Sequence, residues 1–166
     1  MPFLLLALSL AAIQPQTTYE RAYELAYSLD HDEAITLLKK AAEAHPDDPD
    51  AHRHVAVVTW LNILFQRGSV TVDSYLGGIT RSDFKLPEPP RDLAAGFYAY
   101  VDRAIALSEA RVEANRNDIE ARYDLGAALG LRASYVATIE GKVRSAFGAA
   151  RRAFNLHEGV VERDPG

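Results

Sequence analysis

The sequence predicts an all-α protein of stacked antiparallel helical hairpins, about six helices with one long insertion between two of them. Three observations predict it. Apolar residues recur at i, i+3, i+4 and i+7 along most of the chain, the spacing of a helix with one buried face. Sustained alternation of period two, the mark of a half-buried strand, is missing. One boundary is written twice: Glu43-Ala44-His45-Pro46-Asp47-Asp48-Pro49-Asp50-Ala51 aligns with Glu113-Ala114-Asn115-Arg116-Asn117-Asp118-Ile119-Glu120-Ala121. Each copy holds a helix end, an acidic cap and a helix start at matching offsets.

The elements follow in order. Phe3 to Ile13 is an apolar run ending at Gln14-Pro15-Gln16. It falls short of the roughly 20 residues that a membrane-spanning helix needs. It matches the apolar part of a secretory signal peptide, with Ser9-Leu10-Ala11 as a small-x-small cleavage site. Residues 1–14 are therefore expected to be a leader and residues 15–166 a helical repeat domain. That places the mature protein in a periplasm or outside the cell, with no stable membrane span. The run lacks a preceding Lys or Arg, which keeps a cytoplasmic location as the alternative.

The first helix is expected over about Thr17–Leu29, and Asp32 is expected to cap a second running to about Ala44. Asp48 and Pro49 then start a third. An aspartate accepts hydrogen bonds from the free amides of a first turn, and proline at the first helical position has no amide to satisfy. That helix runs to about Arg67 and stops at Gly68. A fourth begins after Pro89-Pro90 and reaches about Ala114, with Leu93, Phe97, Val101, Ala104, Ile105 and Val112 on one side. Asn117 or Asp118 caps a fifth, which runs to about Ile139, and Gly141 breaks it. A sixth carries Val143, Ala146, Phe147, Ala150, Ala153, Phe154, Val160 and Val161 toward Asp164-Pro165-Gly166.

Composition excludes several functions. The chain has 166 residues, 48% of them hydrophobic, which suits one domain with a real core. Lys and Arg total 18 against 23 Asp and Glu, a net charge of -5, which argues against a nucleic-acid partner. The acidity lies in the first fifty residues; the later cluster Lys142, Arg144, Arg151 and Arg152 reads as a solvated helix face. With no cysteine, disulfides, thiolate zinc sites and thiol nucleophiles are all out. No H-E-x-x-H or Glu-x-x-His pair is present. His52 and His54 point in different directions on one helix, and His45, Asp48 and His52 read as surface groups at a turn. Gly141-Lys142 lacks the rest of a phosphate loop, and no serine has the G-x-S-x-G context. The expectation is a protein without catalysis, cofactor or metal. Gly126 and Gly130, beside Ala127, Ala128 and Ala133, are expected to let paired helices approach closely.

The repeated boundary is where the chain resembles the tetratricopeptide repeat (TPR) family, whose unit of roughly 34 residues is two antiparallel helices. Ala34, Leu38, Ala41 and Pro46 match the family's second-helix spacing. Arg122, Leu125 and Gly126 match the W-x2-L-G start with the tryptophan replaced, and Ala153, His157, Val160 and Pro165 form a degenerate close. The resemblance implies a right-handed α-solenoid of three hairpins, the last two longer than standard. It implies a scaffolding role in a bacterial envelope, binding a protein or peptide partner on an aromatic-lined concave surface.

Tyr19, Tyr23 and Tyr27 recur every four residues and share one face of the first helix, while Ala22, Leu25, Ala26 and Leu29 are expected to pack inward. Carried over from the family, these tyrosines fall on groove-lining positions, as do Arg53, Trp60 and Tyr123 in the next two units. The insertion, residues 69–90, is too rich in apolar side chains to stay solvated, and Tyr75, Leu76 and Phe84 are expected to fold back as a lid. A different reading follows from the same insertion: a small apolar ligand held in a cavity between long helices, with 69–90 as its roof. Finally, the apolar stripe of the sixth helix has nothing after it to cover it. The expectation is a fragment of a longer array, or self-association through that helix.

Overall fold

The computed structural model describes residues 17–68 and 87–163, and every regular element among them is an α-helix. They are α1 (Thr18–Tyr27), α2 (His31–Ala44), α3 (Pro49–Gln66), α4 (Arg91–Ala114), α5 (Ile119–Thr138) and α6 (Val143–Val161). The expected leader, residues 1–14, and the lid residues Tyr75, Leu76 and Phe84 lie outside the described residues. None of the described helices is long and apolar enough to cross a membrane.

Local chemistry sets the helix starts. The Thr17 hydroxyl accepts from the Glu20 amide and the Glu20 carboxylate accepts from the Thr17 amide, a reciprocal capping box. Asp48 accepts from the Asp50 amide ahead of α3, with Pro49 in its first turn. Asp118 accepts from the Ala121 amide ahead of α5. Each such cap is worth about 1 kcal/mol.

The start of α2 differs from expectation. The helix begins at His31, so Asp32 sits in its first turn, and no side chain caps it. The reversal from α1 explains this. The Asp30 amide donates to the Leu25 carbonyl and the Leu29 amide to the Ala26 carbonyl. This Schellman pattern puts the residue after the helix in the left-handed region, and here that residue is Leu29, with φ 68°. Its side chain projects into solvent instead of packing inward.

Helices adjacent in sequence pack against one another throughout, from α1 with α2 to α5 with α6. α1 also touches α3, and α3 touches α5, so the odd-numbered helices lie side by side. Two apolar clusters fill the interior. Ala22, Leu25, Leu38, Val55 and Val58 close the space between α1, α2 and α3. Ile63, Phe97, Val101, Leu125, Leu129 and Tyr135 close that between α3, α4 and α5. Phe97 and Tyr135, both fully buried, stack with ring centroids 3.9 Å apart.

The small residues of α5 serve close approach. A Cβ at Gly126 would come within 2.8 Å of the His157 imidazole on α6, and one at Gly130 would lie 3.8 Å from the Ala153 Cβ. The backbone of α6 lies against α5 and no other described helix, with Arg152 reaching Glu109 of α4 at 2.8 Å. Its expected apolar stripe divides accordingly. Ala146 and Ala153 are buried, whereas Val143, Phe147, Phe154 and Val161 are exposed.

Candidate functional site

The side-by-side placement of α1, α3 and α5 assembles a cluster that joins aromatic rings to charged groups across three helices. α3 begins at the Asp48 cap, which puts Asp50, Arg53 and His54 in its first two turns, facing α1. The His54 ring stacks on Tyr19, with centroids 4.4 Å apart, and meets Tyr23 edge-on at 5.4 Å. Its Nδ1 lies 2.7 Å from the Tyr23 hydroxyl and its Nε2 lies 2.9 Å from Asp50 Oδ2. Arg53 Nη2 pairs with the other oxygen of Asp50.

These contacts set the protonation pattern. The hydrogen bond from His54, reinforced by the Arg53 charge, holds the Asp50 carboxyl at about 2, against the opposite pull of burial. An ionised Asp50 can only accept, so His54 Nε2 carries the proton facing it. In the neutral ring Nδ1 is then the acceptor, and the Tyr23 hydroxyl donates to it. Burial raises the Tyr23 hydroxyl above its ordinary value, which keeps that proton in place. The result is a directed chain from Tyr23 through His54 to Asp50. Chains of this kind stiffen the side chains they join.

Asp124 of α5 closes the cluster. Its buried carboxyl is pushed up to about 6, first by burial and then by the nearby Asp50 charge, against the attraction of Arg111 and Arg53. Arg111, at the end of α4, donates to Asp124 at 3.2 Å and to Glu120 at 2.8 Å, tying α4 to the start of α5. Among the described residues the buried Nε of Arg53 has no hydrogen-bond partner, and its ion pair is with Asp50.

Of the residues expected from sequence, the structure brings Tyr19, Tyr23 and Arg53 together. Tyr27 lies one turn further along α1 and is 83% exposed. Trp60 sits two turns beyond Arg53, packs against the α3–α5 core and donates its indole N–H to Thr138 of α5 at 3.2 Å. Since Asp50 neighbours Asp124 and Trp60 neighbours Thr138, α3 and α5 run in the same direction. Tyr123 instead points toward α6, where its ring meets His157 edge-on at 5.3 Å. The residues that the sequence reading missed are Asp50, His54 and Asp124. The i, i+4 spacing of Asp50 and His54 was the available signal. His52 is a structural group, its Nε2 bonded to the Pro46 carbonyl at 2.9 Å.

Surface hollows lined by the described residues are open to solvent. One of about 410 Å³ lies beside the α1–α2 turn, lined by Asp30, Asp32, Glu33 and Phe65. Another of about 380 Å³ lies between Tyr98, Arg132 and Ala149, and a third of about 530 Å³ at the Pro46 turn. Among the described residues no group of three or more His, Asp or Glu is placed to hold a metal ion. No family model, curated protein or solved structure matches the chain.

Proposed function

We propose that this chain is a non-catalytic scaffold of the cell envelope that binds an extended peptide or a protein segment across α1 and α3. The observation that carries the reading is the half-buried ring surface of Tyr19, Tyr23 and His54, fixed by the hydrogen bond of His54 to Asp50 and flanked by the Arg53–Asp50 ion pair. Rings fixed in this way lose little freedom on binding and offer a broad contact area. A guanidinium beside such rings suits a peptide carbonyl or carboxylate. Trp60 and Tyr123 extend the surface toward the far end of α3 and toward α6. The order of helix contacts, each helix with its neighbour and odd with odd, supports a TPR-like right-handed solenoid as the frame. The apolar run at residues 3–13 supports export.

The test is selection of binders from a random peptide library on the immobilised chain. Affinity is then measured for Tyr23→Ala, Arg53→Ala and, as a control away from the surface, Phe147→Ser. The expected result is binding weakened at least tenfold by Arg53→Ala and Tyr23→Ala with helical content unchanged, and unaffected binding in the control. Peptides that bind the three variants equally well would overturn the reading.

A further inference from the structure

Among the described helices, α6 alone carries four exposed large apolar side chains. Residues 143, 147, 150, 154, 157 and 161 recur at spacings of four and three, the repeat of a seam between two packed helices. Four of them, Val143, Phe147, Phe154 and Val161, are between 63% and 69% exposed. Arg152 and the buried alanines lie on the sides of α6 that face α4 and α5, so the seam looks away from the rest of the chain.

The charges beside the seam are ordered along the helix. Arg144 and Arg151 flank its first half, Glu158 and Glu162 its second, and among the described residues none of the four has an ion-pair partner. By contrast Lys142 is paired with Glu140 and Arg152 with Glu109. A helix that is basic in one half and acidic in the other is complementary to itself when reversed. We infer that α6 docks against α6 of a second copy of this chain, antiparallel about a two-fold axis level with position 152, between Ala150 and Phe154. That arrangement sets Phe154 over Ala150 and Val143 over Val161 of the other copy, with Phe147 between Phe154 and Val161, while His157 stays packed on Tyr123 of α5. It sets Arg144 opposite Glu158 and Glu162, twice over by symmetry, as an isologous interface requires.

Sedimentation equilibrium on the chain and its variants tests this. The wild-type chain dimerises, and Phe147→Ser with Phe154→Ser weakens the dimer at least tenfold while circular dichroism stays unchanged. Arg144→Glu and Glu158→Arg each weaken self-association by a comparable factor, because each sets like charges together on both sides of the axis. An equimolar mixture of the two single variants dimerises more tightly than either variant alone, since both 144–158 pairs are then opposite in charge. It stays weaker than wild type, because the glutamate introduced at position 144 of one copy still faces Glu162 of the other. A wild-type chain that stays monomeric at every concentration overturns the proposal. So does self-association that ignores these substitutions. Either result leaves the face to a further hairpin or to an unrelated protein.

Discussion

Two regions of this molecule display aromatic side chains, and they do so in different physical states. At the start of the chain, Tyr19 and Tyr23 are half-buried, and both engage His54, which Asp50 anchors in turn. At its end, Phe147 and Phe154 stand in solvent with no ring or polar partner among the described residues. The first is a surface already organised by internal bonds, so removing its parts is felt within the fold. The second is a face whose apolar side chains contribute nothing until something covers them. The lesson is that aromatic exposure alone does not classify a surface. What matters is whether the rings already have partners within the chain.

That contrast can be broken most severely at His54. Replacing it with alanine removes two ring contacts and two hydrogen bonds and leaves Asp50 with Arg53 alone. A loss of about 2 kcal/mol is expected, read by urea denaturation. Next comes Asp124, whose pH dependence has a definite sign. Its carboxyl titrates near 6 in the folded chain against an ordinary value of 3.8, so the native state holds the proton more tightly than the unfolded chain. Its contribution to stability is greatest below pH 3.8, falls as pH rises toward 6, and is constant above. Asp50 runs oppositely: its contribution is complete above pH 3.8 and is lost as pH falls through about 2. The melting temperature of Asp124→Asn, compared with wild type across pH 4–6, is expected to lack the decline that Asp124 causes. A difference that is flat across that range would count against the assignment.

Smaller effects sharpen the picture away from both surfaces. Leu29→Gly relieves a left-handed conformation that only glycine adopts freely, and a stability gain of about 1 kcal/mol is expected by thermal melting. The smallest effect belongs to Phe147→Ser. In monomer it should shift stability by no more than about 0.5 kcal/mol, as for an exposed position away from any special contact. A comparable loss at His54 and Phe147 would erase the distinction between the two regions.

Much of the fold was legible because the signals were local. Helical periodicity, the Asp48-Pro49 start and the Asp118 cap each act within a turn or two, and all three are present in the structure. The start of α2 is not legible in sequence, because the reversal at Ser28 to Asp30 is built from backbone hydrogen bonds, with a leucine at the left-handed position that glycine usually marks. The candidate site was half legible. Tyr19, Tyr23 and Arg53 lie on faces that periodicity identifies. Asp124 joins Asp50 only because α3 and α5 lie side by side, a contact between residues far apart in sequence. The role of His54 is not legible in sequence, because the Tyr23 hydroxyl it joins to Asp50 comes from another helix, 31 residues away. Tyr123 shared the expected register but turns to His157, since the close packing of α5 on α6 at Gly126 brings that imidazole within reach.

The central claim is that the α1–α3 surface is where this chain meets a partner. Amide hydrogen exchange of the chain, free and saturated with a selected peptide, tests it most directly. Slowed exchange is expected at the α1 turns bearing Tyr19 and Tyr23 and at the first turns of α3 around Arg53, with α6 unchanged. Protection confined to α6, or found in neither α1 nor α3, would contradict the account.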